Sequence, residues 1–276
     1  MDDPLNLAKN KIPIRRLQEL KTFRTRSGIE LSYRHYPAWS ESVIFLFHGI
    51  GSDSKYLCAL AQKLCEDLQV HVVTPDFRGH GVSLGVADPK PMDLQLDLEE
   101  LIVHLKMHFS LQNIFLAGHS LGGGFVLRIA SSSQAGNYKG FLALSPYLPP
   151  DFQVHHSDYG GWISIFSEQK KVIVNMADFF KTGSEKLDYS FDYMQAVQPS
   201  LDLLDQLKKK SSVVLLLSGE KDQVFQSYKY TPLFADLIKT VSVSVHAESD
   251  HMSIVMNKQA LEKIILEFKN KFERLF

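Results

Sequence analysis

The sequence predicts an α/β protein with a doubly wound, mostly parallel sheet. From residue 43 onward, short apolar runs rich in β-branched residues alternate with stretches of helical periodicity. Runs that are apolar almost throughout are typical of parallel strands covered by helices on both faces. No fixed-period repeat is present, which excludes solenoid and propeller architectures. The 276 residues, 45% hydrophobic and 22% charged, are enough for one large domain with an insertion.

The elements follow one another in a simple order. Residues 21–26 and 30–36 flank the turn Ser27-Gly28 and predict an antiparallel hairpin at the sheet edge. Six further strands are predicted at residues 43–47, 70–74, 113–117, 141–145, 213–218 and 241–246. Helices are predicted near residues 54–68, 92–109, 121–133, 226–240 and 257–274.

One connection is far too long for a simple crossover helix. Roughly 67 residues separate the sixth strand, 141–145, from the next one, where a crossover needs about a dozen. This stretch predicts a mainly helical cap, residues 147–211, over the carboxyl edge of a core formed by residues 1–146 and 212–276. Its aromatic residues could form the cap's own core or a wall for an acyl chain: Tyr147, Phe152, Tyr159, Trp162, Phe166, Phe179, Phe180, Tyr189, Phe191 and Tyr193.

Charge and composition exclude several classes of partner. With 30 Lys+Arg against 31 Asp+Glu, no basic field exists to bind nucleic acid. Residues 1–26 are locally basic, which leaves at most a transient contact with a membrane surface. No apolar run approaches the roughly 18 residues of a membrane span, and no signal peptide opens the chain, so we expect a cytoplasmic protein. Cys58 and Cys65 are expected to be free, core-facing thiols.

The most specific motif is Gly118-His119-Ser120-Leu121-Gly122, which joins a predicted strand directly to a predicted helix. In this context the pattern is typical of a nucleophile elbow, whose sharp turn lifts the serine hydroxyl clear of the sheet. Small residues at positions 118 and 122 let the neighbouring backbones pass. The alternative is a glycine-rich turn whose serine only caps the helix. We therefore predict that Ser120 is a nucleophile.

A serine nucleophile requires a histidine base and a carboxylate elsewhere in the chain, and with a strand–elbow–helix of this type the expected order is serine, then acid, then histidine. The strand 213–218 runs into a turn with two carboxylates, of which we favour Asp222 as the acid, with Glu220 as the alternative. Only two of the eleven histidines follow that turn, and His246 lies inside the last predicted strand. His251, in the loop after it, is the predicted general base. Asp250 beside it is expected to shape the loop or cap the final helix.

Acyl transfer also needs two donors for the oxyanion of the tetrahedral intermediate. One candidate is the amide of Leu121, directly after the predicted nucleophile. The other is the amide of Ile50, in the motif His48-Gly49-Ile50-Gly51 that follows the strand 43–47. Glycine there lets the backbone turn inward, although a plain glycine turn has the same pattern.

A further glycine-rich motif, Asp76-Phe77-Arg78-Gly79-His80-Gly81-Val82-Ser83, follows the strand 70–74. Its Asp76 and Arg78 are expected to tie loops together, with contact to substrate as the alternative. The histidine pairs His104/His108 and His155/His156 lack carboxylates or thiolates at ligand spacing. We therefore predict neither a metal site nor a cofactor.

Together with Gly219-Glu220-Lys221-Asp222 and Asp250-His251, these motifs resemble those of the α/β-hydrolase fold superfamily. Over about residues 20–274 the chain is similar to the monoacylglycerol lipase and lysophospholipase-like serine hydrolases. The resemblance implies a Ser120-His251-Asp222 triad, an oxyanion hole from Ile50 and Leu121, and a cap that controls access. The supporting motif positions are His48, Gly49, Gly118, His119 and Gly122. Serine as the nucleophile separates the chain from dehalogenase and epoxide hydrolase relatives, which use aspartate.

The expected activity is hydrolysis of small or single-chain lipid esters, of monoacylglycerol or lysophospholipid type, through an acyl-enzyme and with no obligate protein partner. An aminopeptidase-like or carbon–carbon bond hydrolase with the same triad is the alternative. An aminopeptidase would need an acidic pocket, for which the cap offers Asp151, Asp158, Glu168 and Asp178. A non-catalytic binding protein is the remaining alternative, but such proteins usually lose a triad member and this sequence retains all three.

Overall fold

The computed structural model describes residues 17–83, 89–175 and 185–272. Eleven strands lie in this part of the chain: β1 (Leu20–Arg24), β2 (Glu30–Tyr36), β3 (Ser42–Phe47), β4 (His71–Pro75), β5 (Asn113–His119), β6 (Gly140–Leu144), β7 (Ile163–Phe166), β8 (Lys171–Val174), β9 (Asp188–Ser190), β10 (Val214–Gly219) and β11 (Val241–His246). Eight of them form one sheet in the order β1-β2-β4-β3-β5-β6-β10-β11. Every strand predicted from residue 43 onward is present in this sheet, with ends that differ by at most two residues.

The main sheet is parallel except at one edge. β1 pairs antiparallel with β2, and β2 pairs antiparallel with β4. All other neighbours in the sheet are parallel. The predicted edge hairpin and the predicted doubly wound α/β class are therefore confirmed.

Helices cover both faces of this sheet. They are α1 (Cys58–Leu68), α2 (Asp93–Lys106), α3 (Leu121–Ala130), α4 (Phe191–Val197), α5 (Leu203–Lys210), α6 (Tyr230–Leu233) and α7 (Lys258–Phe272). One apolar cluster lies between the sheet and α1 with α7, and the other lies beneath α2, α3 and the residues between β6 and β10. Alternate residues of the inner strands β3, β5, β6 and β10 enter the two clusters, which explains why these strands are apolar almost throughout. Cys58 and Cys65 are free and buried in α1, as predicted.

The helix predicted near residues 226–240 is wrong as a continuous element. The structure has only the four residues of α6, flanked by short 3-10 turns at Ser227–Lys229 and Ala235–Leu237. Pro232 lies in the middle of the predicted range and has no amide hydrogen to donate to a helical hydrogen bond. The polypeptide therefore turns repeatedly between β10 and β11.

The segment between β6 and β10, which we call the cap, leaves the sheet after β6 and returns to it at β10. Besides α4, α5 and short 3-10 turns, it contains a three-stranded antiparallel sheet in the order β7-β8-β9. The cap is still mainly helical in its described residues, as expected, but this small sheet was not predicted. These strands have only three or four residues and are partly exposed, so they lack the apolar pattern that reveals a strand in sequence. The domain boundaries 1–146, 147–211 and 212–276 remain a prediction.

Two expectations concern residues outside the described ranges. Most of the basic segment 1–26 lies before residue 17, where the description begins. Phe179 and Phe180 of the cap fall between its second and third parts. None of the helices in the described ranges is long and apolar enough to cross a bilayer.

Candidate active site

Ser120 occupies a sharp turn between β5 and α3. Its backbone has φ 54° and ψ −114°, a left-handed conformation that a non-glycine residue rarely adopts. The turn brings β5 and α3 close together and sets α3 against the end of β3. A Cβ at Gly122 would collide with the carbonyl oxygens of Phe47 and His48 there. A Cβ at Gly118 would lie 2.8 Å from the amide nitrogen of Gly123. The local geometry is that of the predicted nucleophile elbow.

Asp222 and His251 meet directly at the carboxyl ends of β10 and β11. The Nδ1–H of His251 donates to Oδ2 of Asp222 over 3.0 Å, and both side chains are buried. The other carboxylate oxygen, Oδ1, accepts hydrogen bonds of 2.9 Å from the amides of Val224 and Phe225. Burial alone would raise the pKa of Asp222, but the facing His251 and these hydrogen bonds hold it below its ordinary value. The carboxylate is therefore fixed in its ionised form.

The loop after β11 keeps His251 in place. Oδ1 of Asp250 accepts from the amides of Met252 and Ser253, so Asp250 shapes this loop as expected and does not contact the imidazole of its neighbour. Rings from two sides enclose His251: Phe225 at a centroid distance of 5.3 Å and Trp162 of the cap at 5.8 Å. The cap therefore reaches the predicted base.

His119 connects the elbow to the loop of His251. Its Nε2–H donates to the main-chain carbonyl of His251 over 2.8 Å, and the two rings lie 4.7 Å apart. The hydroxyl of Ser120 makes no hydrogen bond to any described residue, so its neighbour His119, and not a direct bond, links the elbow to the loop of His251. Catalytic hydrogen bonds often tighten only when substrate is bound.

The loop at residues 48–51 lies against the elbow. A Cβ added to Gly49 would lie 3.2 Å from the Cβ of Ser120. The amide of Gly49 donates to the hydroxyl of Tyr56 over 2.6 Å, and the amide of Gly51 donates to that of Tyr189 over 2.7 Å. The amide of Ile50 stands between these two tethered groups. Within the described ranges neither it nor the amide of Leu121 donates to another protein group.

His48, the first residue of this loop, forms hydrogen bonds through both of its ring nitrogens. Its Nδ1–H donates to the carbonyl of Gly49 over 2.8 Å, while Nε2 accepts from the amide of Phe77 over 3.0 Å. Burial lowers the pKa of His48, so the ring is neutral and can both donate and accept. The ring fixes the loop at residues 48–51 to the loop after β4.

A comparison with known families shows which family this chain belongs to. The model described as serine aminopeptidase, S33 (Hydrolase_4) matches residues 39–198, more than half of the chain. The chain belongs to this family of α/β hydrolases. Over 277 aligned positions this α/β hydrolase is 24% identical to the non-heme chloroperoxidase CPO-A1 of Kitasatospora aureofaciens, with 90% of this chain and 98% of the relative covered.

Solved structures share the fold over nearly the whole chain. A soluble variant of monoglyceride lipase from Saccharomyces cerevisiae, in complex with a substrate analog, superposes with a TM-score of 0.72. It is 16% identical, and the match covers 94% of this chain and 96% of the lipase chain. Est1E from Butyrivibrio proteoclasticus, with ferulic acid bound, gives a TM-score of 0.67 at 19% identity and covers 91% and 97%.

The α/β hydrolase uses Asp76 and Arg78 to join loops, as predicted. Asp76 accepts from the Oγ of Ser32 over 2.6 Å and from the amide of Ser54 over 2.7 Å. Arg78 forms a two-pronged ion pair with Asp97 of α2, with donor–acceptor distances of 2.5 and 2.7 Å. These contacts hold the loop after β4 against three elements: β2, the 3-10 turn Ser54–Leu57 that precedes α1, and α2.

Histidines of the two pairs considered as metal ligands take part in packing and hydrogen bonds. His104 stacks on Phe23, and Nε2 of His156 lies 3.2 Å from the carbonyl of Asp222. No group of three or more potential metal ligands occurs among the residues that the structure describes.

Sequence reasoning missed two tyrosines of the site, Tyr56 and Tyr189. Each has a fully buried ring and a hydroxyl on a glycine amide of the loop at residues 48–51. In the sequence Tyr56 was indistinguishable from other core-facing residues of the pattern at residues 54–68. Tyr189 was counted only among the aromatic residues of the cap, because a hydrogen bond to a residue 138 positions away leaves no local signal.

Proposed function

We propose that this α/β hydrolase is a serine esterase that cleaves small or single-chain lipid esters, of monoacylglycerol or lysophospholipid type. The observation that carries the proposal is the strained Ser120 at the same sheet edge as the 3.0 Å His251–Asp222 pair. In open α/β sheets, ligands bind at this carboxyl edge. Both features are costly to the fold, since the turn at Ser120 is strained and the carboxylate of Asp222 is buried.

The proposed reaction has two halves. Ser120 Oγ attacks the ester carbonyl carbon while His251 Nε2 takes the hydroxyl proton, and the amides of Ile50 and Leu121 stabilise the oxyanion. Each such donor contributes about 3 kcal/mol to transition-state stabilisation. The carbon–oxygen bond to the alcohol then breaks, and the alcohol leaves with the proton from His251. Water repeats the sequence on the acyl-enzyme and releases the acid and free Ser120.

Asp222 stabilises the imidazolium that forms on His251 and holds its Nδ1–H toward the carboxylate. That orientation leaves Nε2 as the nitrogen that exchanges the proton with Ser120. A cytoplasmic location, with at most transient contact with a membrane surface to reach lipid substrates, completes the proposal.

An apolar substrate is supported by the cap. Trp162 lies against His251, and the partly buried Phe152, Trp162 and Phe191 pack against the apolar cluster on the cap side of the sheet. Among the solved structures that share this fold, the yeast monoglyceride lipase has a name that states an activity on esters. Of the cap acids whose side chains the structure describes, Asp151 and Glu168 are exposed, so neither lines the acidic pocket that the aminopeptidase alternative needs.

The test is a chain-length and head-group profile. p-Nitrophenyl esters from acetate to palmitate, a 1-monoacylglycerol and a lysophosphatidylcholine are assayed beside amino-acyl anilides. We expect ester hydrolysis, and Ser120→Ala should lower kcat by about 10⁴-fold or more and abolish labelling by a fluorophosphonate. Ser133→Ala, a change at an exposed serine three residues after α3, is the matched control and should retain both. Turnover of anilides alone would assign the peptidase reaction instead, and an unlabelled wild type would indicate a non-catalytic protein.

A further inference from the structure

Two tyrosine hydroxyls hold the loop at residues 48–51 from opposite sides. Tyr56, on the 3-10 turn Ser54–Leu57 that precedes α1, accepts from the amide of Gly49. Tyr189, on β9 of the cap, accepts from the amide of Gly51. Both rings are fully buried, so neither hydroxyl can exchange these partners for solvent. One tether therefore comes from the core and the other from the cap.

The contacts of His80 indicate the direction of the hydrogen bonds of Tyr189. Nδ1 of His80 lies 3.1 Å from the carbonyl oxygen of Arg78, which can only accept, so Nδ1 carries the proton. Nε2 of His80 must then accept, and the Tyr189 hydroxyl 2.5 Å away donates to it. The lone pairs of that hydroxyl remain free for the amide of Gly51. Burial lowers the pKa of His80 well below its ordinary value, which keeps the ring neutral as this arrangement requires.

The core side repeats this arrangement. Nε2 of His119 donates to the carbonyl of His251, so Nδ1 accepts from the Tyr56 hydroxyl over 2.8 Å. Burial lowers the pKa of His119 to about 3, and its ring is neutral as well. Each tyrosine thus joins a glycine amide to a buried neutral histidine whose far nitrogen is bound to a main-chain carbonyl. The amide of Ile50 therefore lies between the two glycine amides that these tyrosine–histidine pairs hold.

We propose that Tyr189 is a positioning residue through which the cap sets the orientation of the Ile50 amide. The inference rests on the proposed esterase function and adds that the cap contributes to the chemical step, beyond any contact with substrate. Tyr189 lies opposite Val172 in the cap sheet, so its position depends on how that sheet is seated. Without its hydroxyl the Gly51 side of the loop loses its tether, and the oxyanion donor is no longer held in the productive orientation. A misplacement of this kind costs about 10- to 100-fold in rate.

The experiment compares Tyr189→Phe with Tyr193→Phe. Tyr193 is also fully buried beside His80: its hydroxyl donates to the carbonyl of Arg78 over 3.1 Å and lies 3.3 Å from Nδ1 of His80, yet it makes no hydrogen bond to the amide of Gly51. Both changes remove one buried hydroxyl from the same group of rings. The readouts are kcat and KM for p-nitrophenyl acetate, a substrate too small to depend on the cap for binding, and hydrogen–deuterium exchange of the loop at residues 48–51.

We expect Tyr189→Phe to lower kcat 10- to 100-fold with KM within threefold, and to accelerate exchange in the loop at least tenfold. Tyr193→Phe should stay within threefold of the wild type in both. Should Tyr189→Phe not fold, His80→Leu removes the acceptor of the same hydroxyl and should change both readouts in the same direction. Equal losses in the two tyrosine variants, a loss confined to KM, or unchanged loop exchange would each overturn the proposal. A wild type that hydrolyses no ester would remove the proposed function, and the catalytic role of Tyr189 with it.

Discussion

The two carboxylate oxygens of Asp222 have different partners. Oδ1 is held by the amides of Val224 and Phe225, and Oδ2 faces Nδ1 of His251. These three partners are buried, so the carboxylate is oriented by groups that are not exposed to solvent. The exposed Glu220, two residues earlier, has no such environment. The two acids that the sequence left as alternatives therefore differ sharply in burial and in partners.

Asp222→Asn should lower kcat for ester hydrolysis by about 10⁴-fold while the protein stays folded. The amide group can still accept from the loop amides, but it favours the wrong tautomer of His251 because its NH₂ faces Nδ1. Steady-state kinetics with p-nitrophenyl butyrate and a thermal unfolding curve measure the two effects.

Glu220→Gln is the matched control and should stay within twofold of the wild type. A loss at Glu220 comparable to that at Asp222 would exchange the roles of the two acids.

At the scale of elements, the contact between β5, α3 and β3 depends on the absence of a side chain at Gly122. The carbonyl oxygens of Phe47 and His48 occupy the position of its missing Cβ. Gly122→Ala should therefore destabilise the protein by about 3 kcal/mol or prevent folding, as overpacking against backbone does. Chemical denaturation gives the free energy of unfolding.

Gly136, where an added Cβ would meet nothing within 4 Å, provides the comparison. Gly136→Ala should change the free energy of unfolding by less than about 0.5 kcal/mol. Similar effects of the two substitutions would show that close packing at the elbow does not limit stability.

The ion pair between Arg78 and Asp97 joins the loop after β4 to α2. Both side chains are largely buried, whereas Asp93, the second partner of Arg78 at 3.2 Å, is 27% exposed. Asp97→Asn should lower the free energy of unfolding by about 3 kcal/mol, because it leaves a buried guanidinium without its main counter-charge.

Asp93→Asn should cost less than about 1 kcal/mol, the usual contribution of a partly exposed pair. Urea denaturation of the two variants measures the contrast. If Asp93→Asn lowered the free energy of unfolding as much as Asp97→Asn, burial would not determine how much each ion pair of Arg78 contributes to stability.

At the scale of the whole molecule, several histidines are buried in the neutral form. Burial lowers the pKa of His35 to about 4 and that of His119 to about 3. In the unfolded chain these groups titrate near 6.5, so below that pH the unfolded state binds more protons than the folded one. Stability should therefore be fully present above pH 6.5 and fall as the pH decreases toward 3.

The change in unfolding free energy between pH 7.5 and pH 5.0 should include about 2 kcal/mol from His119 alone. His119→Asn should reduce that pH dependence by this amount, whatever its effect on stability at pH 7.5. A wild type equally stable at both pH values would contradict the assignment of neutral, buried histidines.

Much of the fold could be predicted because it depends on neighbouring residues. The strands of the main sheet are marked by apolar runs, and the elbow by glycines at positions 118 and 122 around Ser120. The cap sheet could not be predicted, because β7, β8 and β9 are short and partly exposed. A continuous helix was expected at residues 226–240, although Pro232 within that range has no amide hydrogen to donate.

The sequence by itself determined the fold class, the elbow at Ser120 and the order of the candidate acid and base, since each depends on a pattern within a few residues. Only the tertiary structure decided which groups meet. It placed Asp222 against His251, and it brought Tyr189 of the cap to Gly51, 138 positions away. The physical reason is that a hydrogen bond between distant segments depends on how sheet and cap pack. A buried tyrosine has the same apolar signature in sequence whether its hydroxyl binds a loop amide or another group.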